Sequence, residues 1–167
     1  MGRISVLKGE NQTVSTGVVL TAFYTPAAGT AGARVSIKRL EISQSGTTTL
    51  AMIRGEFATR DTAGTLTTTS LAPTILRPVG GAASAFTGST SVIGATARSG
   101  ITSTADSGGT YTSIYPFNFA NTAGYLFKPA PDEEIQIAPS TVLVVRLLAT
   151  PATTTGWTFT LVMEEDG

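Results

Sequence analysis

The sequence predicts an all-β protein, an antiparallel β-sandwich of about eight strands with a jelly-roll-like arrangement. Thr, Val, Ile, Phe and Tyr dominate the segments that look ordered, and Gly, Pro, Ser and Asn separate them, which is typical of strands and turns. Several segments alternate apolar with polar residues, and none shows the apolar period of about 3.6 residues that marks a surface helix. The turn residues also recur at intervals typical of β-sandwiches.

The first fifteen residues (1–15) are predicted to form an N-terminal arm, followed by a single sandwich domain over residues 16–167. Within the arm, Ile4, Val6 and Leu7 form a short apolar segment. An extended segment of this kind can add a strand to the exposed sheet edge of another protein. We therefore expect these three residues to contact a partner.

A change of phase marks the strand predicted over residues 35–43, which follows a first strand at residues 16–25. Its apolar residues before Lys38 lie on one face, and those after Arg39 lie on the opposite face. A strand that keeps one face buried must absorb this slip, and a β-bulge near these two basic residues does so most simply. The four apolar residues concerned are Val35, Ile37, Leu40 and Ile42.

Residues 60–113 follow a strand predicted over residues 50–59 and are rich in Thr, Ser, Gly and Ala. A structureless loop of this length is uncommon inside a compact domain. We interpret the segment as a long Thr/Gly-rich insertion, in which one or two short strands, including residues 71–77, are joined by long excursions. Simple disorder is the competing interpretation, although flexible linkers are usually poorer in apolar residues.

The C-terminal third has the clearest strand pattern. Residues 142–148 form a nearly continuous apolar run, which is typical of a central strand that is buried on both faces. From Trp157 to Met163, apolar residues alternate with mostly polar ones, which predicts an amphipathic strand that pairs with residues 141–150 as a hairpin. Shorter strands are predicted at residues 115–119, 125–128 and 135–138.

The composition argues against most enzyme chemistry. The chain contains neither Cys nor His, so it lacks thiolate nucleophiles, the commonest metal ligand and the commonest general base. We therefore predict that the protein is not an enzyme and that it uses no cofactor and no metal.

The charge balance bears on the class of partner. Eleven basic residues balance eleven acidic ones, and Lys38, Arg39 and Arg54 form at most a small basic spot, so we expect no nucleic-acid partner. No segment approaches the roughly 20 apolar residues of a membrane span, so we expect no membrane partner. The first ten residues are too short and too mixed for a signal peptide, which predicts that the chain is soluble and intracellular when made.

Two groups of carboxylates are candidates for chemistry. Asp132, Glu133 and Glu134 form the densest acidic cluster, here called the acidic corner. A calcium loop needs alternating ligands and a Gly at its sharp turn, so a solvated turn is the favoured interpretation. Asp61 and Asp106 would form a catalytic pair only if the fold brought them together. Nothing in the sequence pairs them, so a glycan hydrolase is the least favoured hypothesis.

Aromatic residues gather in the segment from residue 111 to residue 127. One interpretation is a carbohydrate-binding platform, and the other is sandwich core plus a subunit interface, since Tyr and Phe are enriched in both. We favour the second interpretation and expect Tyr111, Tyr115 and Tyr125 to contact a partner. The six aromatic residues are Tyr111, Tyr115, Phe117, Phe119, Tyr125 and Phe127.

Three parts of the chain together resemble small virion proteins of phages, in particular capsid decoration (cement) proteins and related β-sandwich head proteins. These parts are residues 35–44 (VSIKRLEISQ), the Thr/Gly/Ser-rich middle, and residues 139–147 (PSTVLVVRL). The resemblance is one of composition and pattern. It implies a jelly-roll-like unit, often trimeric, that sits on the capsid lattice with a terminal arm reaching a neighbour.

The same resemblance implies a function and a location. The chain would be made in the host cytoplasm and would stabilise the capsid surface of the virion by bridging subunits. Its partners would be the major capsid protein and copies of itself, as a homotrimer. The resemblance assigns no role to any individual residue. The alternative is a phage tail or fibre module that binds a glycan or receptor, which the aromatic cluster motivates.

Overall fold

The computed structural model describes eight stretches of the chain. The described residues are 3–14, 19–24, 34–46, 48–60, 74–77, 96–99, 110–137 and 142–166. They form eleven strands and the turns between them. No described residue belongs to a helix, so none forms a helix that could cross a membrane.

The strands form two antiparallel sheets. The six-stranded sheet contains β1 (Arg3–Gln12), β3 (Arg34–Gln44), β5 (Thr74–Arg77), β8 (Tyr125–Phe127), β9 (Ile135–Ile137) and β11 (Trp157–Asp166). Its order is β5-β1-β11-β3, and both β8 and β9 pair along the remaining edge of β3. The five-stranded sheet contains β2 (Val19–Tyr24), β4 (Met52–Arg60), β6 (Thr96–Ser99), β7 (Tyr111–Ala120) and β10 (Val142–Leu147), in the order β6-β2-β10-β4-β7.

The core lies between the two sheets, as in a β-sandwich, and aromatic rings from both sheets meet in it. Phe119 of β7 approaches Trp157 of β11 edge-on with ring centroids 6.3 Å apart, and Phe57 of β4 lies 4.9 Å from Phe127 of β8. Apolar residues from both sheets complete the cluster. The prediction of an all-β antiparallel sandwich is therefore confirmed.

The first strand belongs to the sandwich. We predicted an arm over residues 1–15, but residues 3–12 form β1, which lies between β5 and β11 in the six-stranded sheet. Leu7 pairs with Leu161 and is fully buried. The sequence did not show a strand of this length because its second half, with the outward-facing Lys8 and Glu10, contains few apolar residues.

The predicted bulge at Lys38 is confirmed. On β11, Val162 pairs with Arg39 and the next residue, Met163, pairs with Ile37, so Lys38 is the extra residue. The bulge keeps the apolar residues on both sides of it in the core. These buried residues are Val35, Ile37, Leu40 and Ile42.

Two carboxylates hold the side chain of the bulged residue. The Lys38 ammonium lies 2.7 Å from a carboxylate oxygen of Glu134 and 2.8 Å from one of Glu164. Burial of Lys38 opposes its charge, but the hydrogen bonds and charges of the two carboxylates outweigh burial and raise the pKa of Lys38 above its ordinary value. The bulge is therefore tied both to β11 and to the acidic corner before β9.

The strand β10 is central, as its apolar run predicted. It pairs with β2 on one side and with β4 on the other, and Leu143, Val144 and Val145 are all buried. The predicted hairpin of β10 with β11 is wrong, because these strands lie in different sheets. Residues 148–156 connect the two sheets, and the amphipathic β11 pairs with β1 and β3 instead.

The strand β7 forms one edge of the five-stranded sheet in the described part of the chain. Its pairing with β4 shifts opposite Phe57 and Ala58, where Ile114 is the extra residue. Two residues further along β7, Pro116 has no backbone N–H to donate. The bulge and the proline interrupt the row of backbone groups along this strand.

We expect Lys38→Met to lower the free energy of unfolding by about 2 kcal/mol at neutral pH, because it leaves Glu134 and Glu164 close together without a cation. Chemical denaturation measures this change. Since the folded-state pKa of Lys38 is raised, its contribution is fully present below the ordinary value of 10.5 and is lost as the pH rises through the folded-state pKa.

The neighbouring Arg39→Met is the matched control. Arg39 pairs with Glu41 at 3.3 Å, but both side chains are exposed, so its loss should cost about 0.5 kcal/mol or less. Equal effects of the two substitutions would contradict the role that we assign to Lys38.

Candidate interaction surface

One buried side chain ties together two connections at one end of the sandwich. Asn121 lies in the turn between β7 and β8 and is 5% exposed. Its side-chain oxygen accepts a hydrogen bond from the backbone N–H of Ala51 at 2.9 Å. Its amide nitrogen donates to the backbone oxygen of Thr49 at 3.0 Å and to the side-chain oxygen of Gln44 at 3.4 Å. The segment before β4 is therefore fixed on both sides of Leu50.

The connection between β10 and β11 joins the same network. The side-chain amide of Gln44 donates to the backbone oxygen of Thr153 at 3.1 Å, and the backbone N–H of Ser45 donates to the oxygen of Gly156 at 2.9 Å. Gly156 has a φ of 76°, and a Cβ there would lie 2.3 Å from the backbone oxygen of Ser45. Only Gly fits this position without strain.

This end of the five-stranded sheet exposes three large apolar side chains. Leu50 is 67% exposed, Met52 is 68% exposed and Leu148 is 45% exposed. Met52 points outward because it alternates with Ile53, which is buried in the core. Clustered exposed apolar groups of this kind often mark an interaction site on a soluble protein.

A groove of about 440 Å³ lies beside these side chains, and we call it the outer groove. It is lined by Met52 and Arg54 of β4, by Asn118 of β7 and by residues 149–152, with Ala51 and Ile53 completing the lining. Among the described residues that line it, Arg54 is the only charged one. Its side chain is exposed and forms no ion pair with any described residue. The lining that the structure describes is thus mostly apolar, with Arg54 as its one charged residue.

The predicted basic spot does not form. Lys38 and Arg39 belong to the six-stranded sheet, whereas Arg54 belongs to the five-stranded sheet. The sequence does contain a signal for the outer groove, because Met52 shares the parity of Arg54 and Glu56 and is thereby placed on the polar face of its strand. An apolar residue on a polar face is a candidate contact residue.

Further along the outer face of the same sheet, a charged cluster surrounds Tyr111. Arg146 forms an ion pair with Glu56, which is 4% exposed, and its guanidinium carbon lies 4.0 Å from the centroid of the Tyr111 ring. This distance is typical of a cation–π interaction. The Tyr111 hydroxyl is buried and has no hydrogen-bond partner among the described residues. Tyr111 therefore packs against a cation of its own chain.

The other two predicted tyrosines lie at the edge of the aromatic core. Tyr125 stacks on Phe117 with ring centroids 4.1 Å apart, and Tyr115 lies 5.2 Å from Phe127. Phe117 and Phe127 are buried, whereas Tyr115 is 45% exposed. Burial, and next the charge of Tyr115, raise the pKa of Tyr125 to about 12. Most of the aromatic set is core, as the favoured interpretation predicted, and the rings do not form an open platform.

The residues predicted on β1 are only partly available to a partner. Leu7 is fully buried in the core, so it cannot contact another protein. Ile4 and Val6 are half-buried on the outer face of the six-stranded sheet. Their backbones already pair with β5 and β11, so they cannot add a strand to a partner.

The acidic corner places its carboxylates in different environments. Glu134 binds Lys38, whereas Asp132 and Glu133 are exposed and form no ion pair with a described residue. No cluster of three potential metal ligands occurs among the described residues. The candidate catalytic pair, Asp61 and Asp106, lies outside the described residues.

Comparisons with protein-family models, with curated proteins and with solved structures find no match to this chain.

We expect Asn121→Ala to lower the free energy of unfolding by about 2–4 kcal/mol, because it removes the hydrogen bonds of the buried Asn121 amide to the N–H of Ala51 and the oxygen of Thr49. Asn118→Ala, which removes an exposed amide from the end of the preceding strand β7, should change it by less than about 0.5 kcal/mol. Chemical denaturation of both variants tests this expectation, and similar losses would contradict it.

We expect Tyr125 to ionise near pH 12, above the usual value of about 10 for tyrosine. The tyrosinate absorbance of the wild type minus that of Tyr125→Phe isolates this titration. Tyr115→Phe should lower the pKa of Tyr125, because it removes a neighbouring negative charge. A Tyr125 that ionises near pH 10 would show that its ring is not buried against Phe117.

Proposed function

We propose that the chain is a non-enzymatic structural protein of a virus particle, most specifically a phage capsid decoration protein that bridges capsid subunits. The observation that carries the proposal is the outer groove together with three exposed apolar side chains, of which Met52 lines the groove. A stable sandwich gains nothing by exposing Leu50, Met52 and Leu148 to water, whereas an assembly gains by burying them.

The electrostatic character of the chain supports an assembly role. Charged residues make up 13% of the sequence, and the net charge is zero. Interface cores are depleted in charged residues, and proteins near zero net charge tend to associate. The lack of His and Cys removes the side chains on which most nucleophilic and acid–base catalysis depends.

We also infer that the sandwich is a jelly roll. In the described pairings β1 lies against β11, β2 against β10, β3 against β8 and β9, and β4 against β7. This nested pattern supports the inference, since a long antiparallel ribbon that folds over itself produces eight strands in two sheets. The short strand β5 extends the six-stranded sheet beside β1, and the short strand β6 extends the five-stranded sheet beside β2.

The partners in this proposal are the major capsid protein and further copies of the chain, on the capsid surface of the virion. The aromatic core weakens the alternative of a glycan-binding tail or fibre module, because Phe117, Phe119 and Phe127 are buried. A glycan array tests that alternative. Hits that disappear in Tyr115→Ala would favour it over the capsid function.

The main test uses a culture that carries the gene for this chain, from which virus particles are purified on a density gradient. We expect antibodies against the chain to label intact heads, and particles from a gene-deletion culture to rebind the purified protein. Heads without the chain should lose their contents at a lower temperature, because the bridges between subunits are missing. Absence of the chain from all particle fractions would refute the capsid function.

We expect Met52→Glu to reduce rebinding at least tenfold, a loss of about 1.4 kcal/mol or more, because it places a charge in the apolar surface. Leu126→Glu is the matched control, since Leu126 is 61% exposed but lies in β8 of the six-stranded sheet. Equal losses for both variants would show that the outer groove is not the contact surface.

A further inference from the structure

Most charged side chains in the described part of the chain have partners. The ion pairs are Lys8–Glu10, Arg39–Glu41, Arg146–Glu56, and Lys38 with both Glu134 and Glu164. Among the charged side chains that the structure describes, four have no partner within that set, namely Arg54, Lys128, Asp132 and Glu133. The first lies in the outer groove, and the other three lie in or next to the acidic corner. Arg54 and the two carboxylates Asp132 and Glu133 thus belong to different surfaces, and Lys128 is close to the carboxylates in sequence.

The outer groove defines the chemistry of its occupant. Its walls are apolar at Met52 and Pro151, and Arg54 supplies the charge. An occupant that fills it without burying an unpaired cation must present an apolar side chain next to a carboxylate. The volume of about 440 Å³ suits a few side chains of a turn.

The acidic corner presents this combination. Pro131, Asp132 and Glu133 are adjacent and exposed. The backbone N–H of Glu133 donates to the oxygen of Ala130 at 2.9 Å, which closes the turn. The ion pair of Glu134 with Lys38 and the pairing of β8 and β9 with β3 hold the corner on both sides. A corner that is already ordered loses little conformational entropy when it binds.

We propose that the outer groove of one copy binds the acidic corner of a second copy, with Arg54 paired with Asp132 or Glu133 and Pro131 against the apolar wall. This inference rests on the proposed function and identifies the self-contact within the assembly. A contact between two grooves about a two-fold axis would place Arg54 against its own copy, which like-charge repulsion opposes.

The contact joins two different surfaces, so a single contact leaves the groove of one copy and the corner of the other available for further copies. A head-to-tail contact repeats from copy to copy and closes into a ring when the rotation between copies allows it. A ring of this kind presents several identical copies to a shell, which strengthens binding through multivalency.

Sedimentation velocity over a concentration series, on the full chain without particles, tests the pairing. We expect the wild type to self-associate, and more weakly as salt is raised from about 50 to about 500 mM. Arg54→Glu should weaken self-association at least about tenfold, as should Asp132→Lys combined with Glu133→Lys. The variant that carries all three reversals should recover to within about threefold of the wild type, because the charges are again opposite.

Lys8→Glu is the control, because it reverses an exposed charge on the outer face of the six-stranded sheet. It should leave self-association unchanged, and circular dichroism should show that every variant is folded. A wild type that stays monomeric up to about 0.5 mM would overturn the proposal. So would single reversals without effect, or a triple variant that does not recover.

The two proposals fail separately. A chain that labels particles but never self-associates would overturn the self-contact and leave the capsid function intact. A chain that self-associates through Arg54 but is absent from every particle fraction would overturn the capsid function and leave the self-contact intact.

Discussion

The buried amide of Asn121 is the contact on which the exposed surface depends. It satisfies a backbone donor at Ala51 and a backbone acceptor at Thr49, so the intervening Leu50 has no freedom to turn toward the core. Buried amides are costly unless all their groups are paired, and this one is paired on both its oxygen and its nitrogen. Asn121 also donates to Gln44, and Gln44 donates to the backbone oxygen of Thr153 in the loop that connects the two sheets. The outer groove therefore lies at an end of the sandwich where hydrogen bonds hold the connecting segments together.

The outer faces of the two sheets have different physical characters. The six-stranded sheet carries exposed ion pairs, such as Lys8 with Glu10, and a network around Lys38 that fixes the bulge. Such pairs keep a surface solvated and contribute little to stability where they are exposed. The five-stranded sheet carries a buried ion pair under Tyr111 and an apolar groove at the opposite end of β4.

The features that the sequence predicted well are local ones. The bulge at Lys38 follows from the parity of four neighbouring apolar residues, and the central position of β10 follows from its continuous apolar run. Pairing partners are not local, so the sequence could not show that β11 lies beside β1 and β3 and not beside β10. The outer groove escaped prediction for the same reason, because Met52 and residues 149–152 come from separate parts of the chain. Leu7 was predicted to contact a partner, but it is fully buried in the core, because the strand that carries it pairs within its own sheet.

The interruptions in β7 have a consequence for the solution behaviour of the protein. A long, flat edge strand is a template on which identical chains can stack into fibrils, and the hazard grows where many copies are crowded together. The extra residue Ile114 twists this edge, and Pro116 removes one of its donors. These interruptions make the edge a poor template for a continuous cross-β sheet, so they oppose the stacking of identical chains into fibrils.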